Sequence, residues 1–193
     1  MPKRILILNG HPDGSSSRFI HALTLAYAEG ARIGGHAIRV WRLADINPQP
    51  LRDAQDFAAP PTEPALSAIR NDWEWANHVA LLFPLWLGGM PARLHALFEQ
   101  IARGGFVAEI DAKGWRPHLK GKSARIIVTM GMPAFAYRLV FGGHGVKRLE
   151  RSILGFAGMG PLRETLIGGV EALGAAGRAR WLARVRNIGQ AGV

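Results

Sequence analysis

The sequence predicts a three-layer α/β/α domain built on a parallel, doubly wound sheet. Three observations predict it. Five short apolar, β-rich runs punctuate the chain. Segments of helical period separate them, and such alternation makes βαβ units. Two of the runs are apolar throughout, as strands covered on both faces must be. One domain over residues 1–193 accommodates the whole pattern.

The elements follow in order. Strands are expected at residues 5–8, 38–43, 79–83, 124–129 and, more weakly, 163–167. The first helix, over 18–33, sets Phe19, Ala22, Leu23, Ala26 and Tyr27 on one stripe. The second, over 63–77, carries Leu66, Ile69, Trp73 and Ala76. The third, over 91–103, opens on Pro91 and carries Leu94, Leu97, Phe98 and Ile101. A fourth is expected over about 146–156 and a fifth over about 169–187. Residues 47–64 hold five of the twelve prolines and read as a surface loop, as do residues 104–122.

Composition narrows the function. Hydrophobic residues at 48% and charged residues at 20% are the balance of a globular protein. Cysteine is absent, which excludes disulfides, thiolate metal sites and thiol catalysis. No bound metal is expected. The amino terminus lacks a signal-peptide pattern, and the longest apolar run, 79–87, is too short to span a membrane and contains Pro84. A cytoplasmic location is expected. The net charge of +10 invites phosphorylated ligands. No groove-reading helix or stacking platform accompanies it, so nucleic acid is not an expected partner. The arginines at 178, 180, 184 and 186 read as the solvated side of a last helix.

In doubly wound folds ligands bind beyond the carboxyl ends of the strands, where strand order switches. Three strand-end segments stand out. Asn9-Gly10-His11-Pro12-Asp13-Gly14-Ser15-Ser16-Ser17-Arg18 precedes a helix. Small residues, hydroxyls and a helix start are what a phosphate needs, though the glycine spacing matches neither a P-loop nor the dinucleotide fingerprint. An ordinary serine-capped turn is the competing explanation. Phe83-Pro84-Leu85-Trp86-Leu87-Gly88-Gly89-Met90-Pro91 would wall a flat, conjugated ligand or simply cover the core. Thr129-Met130-Gly131-Met132-Pro133 is the third, followed by Tyr137 and Gly142-Gly143-His144-Gly145. Tyr137 and His144 can each donate to a reacting oxygen.

These segments resemble the flavodoxin-like NAD(P)H:quinone oxidoreductase family. The stretch from Phe83 to Ala92, continuing into Leu97-Phe98-Glu99-Gln100, carries most of the likeness, with Gly10-His11-Pro12 and Thr129/Gly131 as further matches. The resemblance implies strand order 2-1-3-4-5 and a bound flavin, FMN or alternatively FAD, with NAD(P)H as hydride donor and a quinone-like acceptor. It implies that His11, Ser17 and Phe19 hold the flavin's phosphate or ribityl end; Arg18, in the same loop, is a further cofactor-binding candidate through its charge. Pro84, Leu85, Trp86 and Leu87 would line the ring, and Thr129, Met130 and Gly131 its pyrimidine side. Tyr137 and His144 would stand over the ring as catalytic groups. A homodimer is implied. The likeness to efflux accessory proteins admits an alternative, a flavin-binding regulatory subunit of a membrane potassium-efflux transporter. A one-electron carrier fits poorly, because such carriers are typically acidic. The chain departs from the mammalian pattern at Met130, Met132 and Pro133 and in the spacing from Tyr137 to His144.

Overall fold

The computed structural model describes residues 1–112 and 114–193. The chain runs β1 (Arg4–Asn9), α1 (Phe19–Ile33), β2 (Ala37–Arg42), α2 (Ala54–Ala58), α3 (Pro64–Trp75), β3 (His78–Pro84) and α4 (Ala92–Ala102). It continues through β4 (Ala108–Asp111), β5 (Gly114–Pro117), β6 (Ser123–Thr129), α5 (Ala134–Leu139), α6 (His144–Arg148), β7 (Leu162–Ile167) and α7 (Ala175–Ala191). A π-helical segment, Leu149–Gly155, prolongs α6.

Five parallel strands form one sheet in the order β2-β1-β3-β6-β7. Numbered within that sheet, this is the expected 2-1-3-4-5 order. The strands sort their side chains by period two onto two cores. Leu6, Leu8, Val79, Leu81, Phe83, Ile126 and Val128 face α3, α4 and α6. Ile5, Ile7, Ala80, Leu82 and Ile127 face α1 and α7. Each fully buried leucine or isoleucine among them contributes roughly 1.5–3 kcal/mol of burial energy. The central strands are apolar because both faces are covered. β2, at the sheet's edge, carries Arg39 and Arg42 among its apolar residues and has no fully buried position.

α1 and α7 cross closely enough to require glycine. A Cβ at Gly30 would stand 1.9 Å from the Arg186 carbonyl oxygen, and one at Gly189 would stand 2.2 Å from that of Tyr27.

The structure corrects four expectations. Residues 47–64 contain the short helix α2, which Asp53 caps by accepting from Asp56 N–H at 2.9 Å. Residues 104–122 contain the antiparallel pair β4–β5. Residues 134–139, to which no element was assigned, are α5. The last helix also begins at Ala175 rather than near residue 169, because residues 168–174 turn back across the sheet's carboxyl edge. No helix among the described residues is long and apolar enough to cross a membrane.

Candidate functional site

β1, β3 and β6 are adjacent and parallel, so the loops that leave their carboxyl ends stand side by side. Order reverses between β1 and β3, which is the switch point. Backbone bonds lock the three exits together. Gly10 N–H donates to the Leu82 carbonyl at 2.7 Å, and Leu85 N–H donates to that of Thr129 at 2.8 Å. A fourth loop, after β7, joins them through Val170 N–H to the Met130 carbonyl at 3.2 Å. It brings Glu171 beside Gly131, where an added Cβ would lie 3.8 Å from the carboxylate.

The first loop is exposed from Gly14 to Arg18. Ser15 and Ser17 share a hydroxyl hydrogen bond at 2.9 Å. Arg18, at the N-cap position of α1, makes no capping hydrogen bond. Its guanidinium is held by Asp13 at 2.8 Å. The fifteen-residue α1 therefore presents its positive end and first-turn N–H groups to a serine loop without an internal cap. That donor set suits a phosphate monoester. Phe19 opens the helix, with the Arg178 guanidinium 4.9 Å over its ring. Arg178 is consequently not a solvated side chain; it also donates to the carbonyls of Leu173 and Val170. A cavity of about 180 Å³ opens beside the loop, lined by Asn9, Gly14, Ser16, His21, Thr24 and Arg42 among others.

The second loop is a tight turn. Trp86 and Gly89 exchange backbone hydrogen bonds at 2.9 and 3.0 Å. Leu87 has φ 47° and Gly88 φ 79°, the signs of a type I′ turn. A leucine in that region is strained, and Leu87 sits at the tip fully exposed. Trp86 is half exposed and meets His11 edge-on, with ring centroids 5.8 Å apart. Pro84 and Leu85 are half-buried beneath it. His11 is buried, and burial together with the neighbouring His21 lowers its pKa below the usual imidazole value.

At the third loop Thr129 and Met130 are buried and Gly131 is exposed. Their backbones bind neighbouring loops, so only Gly131 offers an open surface.

Tyr137 is placed otherwise than expected. It is 1% exposed, and its hydroxyl donates to the Gly88 carbonyl at 3.0 Å and accepts from Val146 N–H at 3.1 Å. A phenol committed on both sides braces the turn instead of facing an acceptor. His144, the first residue of α6, is exposed. Gly145 packs against the same turn, where a Cβ would stand 1.9 Å from the Gly88 oxygen. Sequence reasoning missed Asn9 and His21 as site-forming residues, along with the Gly88–Gly145 contact. A polar residue closing an apolar strand was the one available signal, at Asn9.

Comparison with known proteins matches this architecture. The model of the flavodoxin-like fold family matches residues 3–188. The chain belongs to that family. A curated relative, FMN-dependent NADH:quinone oxidoreductase 2 of Pseudomonas syringae pv. tomato, is 30% identical over 67 residues. The match takes in 35% of this flavodoxin-like chain and 32% of the relative, about a third of the relative's length. Among solved structures, Smu.1420 of Streptococcus mutans UA159 is similar at TM-score 0.78 and 25% identity, over 97% of this chain and 99% of that one. NAD(P)H:quinone oxidoreductase of Methanothermobacter marburgensis gives 0.81 and 20%, over 98% and 96%. An FMN-dependent NADH-azoreductase of Bacillus anthracis str. Ames Ancestor, in complex with FMN, gives 0.78 and 15%, over 98% of each. The flavodoxin-like chain shares its fold with all three.

Proposed function

We propose that this protein is an NAD(P)H-dependent flavin oxidoreductase that passes hydride to a quinone or similar acceptor. One observation carries the reading: an uncapped helix start behind a serine loop lies next to an aromatic turn at the switch point of the sheet. The relatives named as FMN-dependent quinone and azo reductases support it and favour FMN over FAD.

Bound at this site, a flavin would supply the hydride chemistry, so the protein needs no nucleophile, metal or strong base of its own. The residues supply binding, orientation and exclusion of water. Ser17, with the first-turn N–H groups of Phe19 and Ile20, would hold the phosphate. His11 would back the ribityl end, and Arg18 would add charge from its pair with Asp13. Pro84, Leu85 and Trp86 would wall the ring, with Leu87 projecting at the rim. Gly131 would offer its backbone to the pyrimidine edge, with Thr129 and Met130 buried behind it. His144 is the exposed group suited to meet an acceptor oxygen as negative charge develops there. Tyr137 acts one step back, as a positioning residue for the turn.

We further read the protein as a homodimer. Phe135, Leu139, Val140 and Phe141 are exposed together on and after α5, beside the site, and an apolar group of this kind marks an interaction surface. No observation favours docking on a potassium-efflux transporter over this reading.

The test is steady-state turnover of the FMN-loaded protein with NADH or NADPH and a soluble benzoquinone. Parallel reciprocal plots, the signature of one slot used in turn by donor and acceptor, are expected. Turnover that needs both substrates bound at once would overturn the shared slot.

A further inference from the structure

Beneath the serine loop, Asn9, His11, Asp13 and His21 close a ring of four hydrogen bonds. His11 N–H donates to Asn9 Oδ1 at 3.1 Å, which orients the amide. Asn9 Nδ2 then donates to His21 Nδ1 at 2.5 Å. His21 Nε2 donates to the Asp13 carbonyl at 2.9 Å. Asp13 N–H donates to His11 Nδ1 at 3.0 Å and completes the circuit. With Asn9 so oriented, His21 is the neutral Nε2–H tautomer, and Nδ1 of each imidazole serves as an acceptor.

The ring is inside the protein: Asn9 is 2% exposed and the two histidines 8% each. Their rings lie 5.5 Å apart. Asp13 connects this interior to the loop above. Its backbone belongs to the ring, while its carboxylate accepts from Ser15 N–H at 2.9 Å and from Arg18 Nε at 2.8 Å. The position of the serine loop is thus set by two imidazoles buried under it. A proton added at either Nδ1 would turn an acceptor into a donor facing a donor, and the circuit would open at that edge.

We propose that His21 is a positioning residue for the phosphate-binding loop, and that protonation of the His11–His21 pair opens the ring and weakens the hold on a phosphate monoester. The proposal rests on the flavin reading above for the identity of that phosphate. The charged groups around His11 do not favour a proton there. Arg18 approaches from the loop, and Arg42 reaches over from β2 to the Gly14 carbonyl at 3.1 Å while pairing with Asp45. Arg178 comes from α7 over Phe19. Asp13 is the one nearby anion that raises the pKa of His11, and burial and His21 outweigh it.

The experiment measures binding of FMN and of riboflavin to flavin-free protein by fluorescence quenching, in the wild type, His21→Ala and His21→Gln. Glutamine can accept and donate across the same gap and does not titrate. At neutral pH His21→Ala is expected to weaken FMN about tenfold, the equivalent of one lost hydrogen-bonded link, with riboflavin unchanged and His21→Gln close to wild type. Toward pH 5 the wild type is expected to lose FMN affinity faster than His21→Gln, which isolates the imidazole from titration of the FMN phosphate itself. Parallel pH profiles for the two, or equal losses of FMN and riboflavin in His21→Ala, would overturn the proposal. Nitrogen NMR of the flavin-free protein reads the ring directly. Both histidines are expected as Nε2–H tautomers, and an Nδ1–H tautomer at either would overturn it. If neither flavin binds the wild type, the flavin reading fails, and inorganic phosphate decides the loop alone. Shifts of the Ser15 to Ser17 amides that vanish in His21→Ala support the proposal, and an absence of shifts overturns it.

Discussion

The Tyr137 hydroxyl donates to the Gly88 carbonyl across 3.0 Å and so ties α5 to the turn that follows β3. The same oxygen accepts from Val146 N–H at the start of α6. Removing it in Tyr137→Phe leaves both backbone groups without that partner, at a cost of about 1–3 kcal/mol. Urea unfolding should record that loss. In turnover the variant should raise KM more than it lowers kcat, as a positioning residue does; a fall confined to kcat would mark Tyr137 as a proton donor instead.

Gly145 stands where no side chain fits. In Gly145→Ala the new Cβ would fall 1.9 Å from the Gly88 oxygen and 2.8 Å from the Gly89 Cα, both backbone atoms that cannot rotate away. The turn must shift, and a destabilisation of about 1–3 kcal/mol is expected. Thermal unfolding checks it, and wild-type stability in this variant would contradict the contact.

Leu87 holds φ 47° with its side chain wholly in solvent, so strain is present and packing is not its compensation. Asparagine tolerates that backbone region. Leu87→Asn should therefore gain up to about 1 kcal/mol of stability while weakening binding at the turn, since strain of this sort collects at functional sites. Denaturation and substrate KM measured on one preparation separate the two effects.

His78 is buried between Ser123 Oγ at 2.7 Å and the Tyr27 hydroxyl at 3.1 Å. Burial, with Lys3, Arg125, His36 and Arg163 adding repulsion, lowers its pKa to about 3. The unfolded chain takes up this proton near the ordinary value of about 6.5, whereas the folded chain does not. Above that value the group adds no pH dependence, and below it stability falls with pH by about 1.4 kcal/mol per unit until the folded pKa is reached. Between about pH 7 and pH 5 this amounts to about 2 kcal/mol, and His78→Gln should flatten the slope by that amount in urea titrations.

What could be read from the sequence divides on physical lines. β1 and β3 were legible because their runs at 5–8 and 79–83 are apolar throughout, as burial on both faces demands. α1, α3 and α4 were legible because their buried stripes repeat at 3.6 residues. The β4–β5 pair was not, since its residues are largely exposed and no apolar alternation marks it. α5 was hidden because Phe135 and Leu139 face solvent, which breaks the amphipathic signal. In the site, the serine loop and the Trp86 turn were visible as small and aromatic residues at strand ends. The hydrogen-bonded partners were not. His21 is twelve residues from Asn9, and Gly88 is forty-nine from Tyr137, distances that only the folded sheet closes.

The central claim is that the loops at the switch point hold a flavin that NAD(P)H can reduce. Its most direct test is an anaerobic titration of the FMN-reconstituted protein with NADH and NADPH, followed at the flavin absorbance. The account predicts stoichiometric binding of FMN and bleaching of its absorbance by at least one of the two donors, with colour restored on adding quinone. Protein that takes up no FMN, or bound FMN that neither donor bleaches, would contradict it.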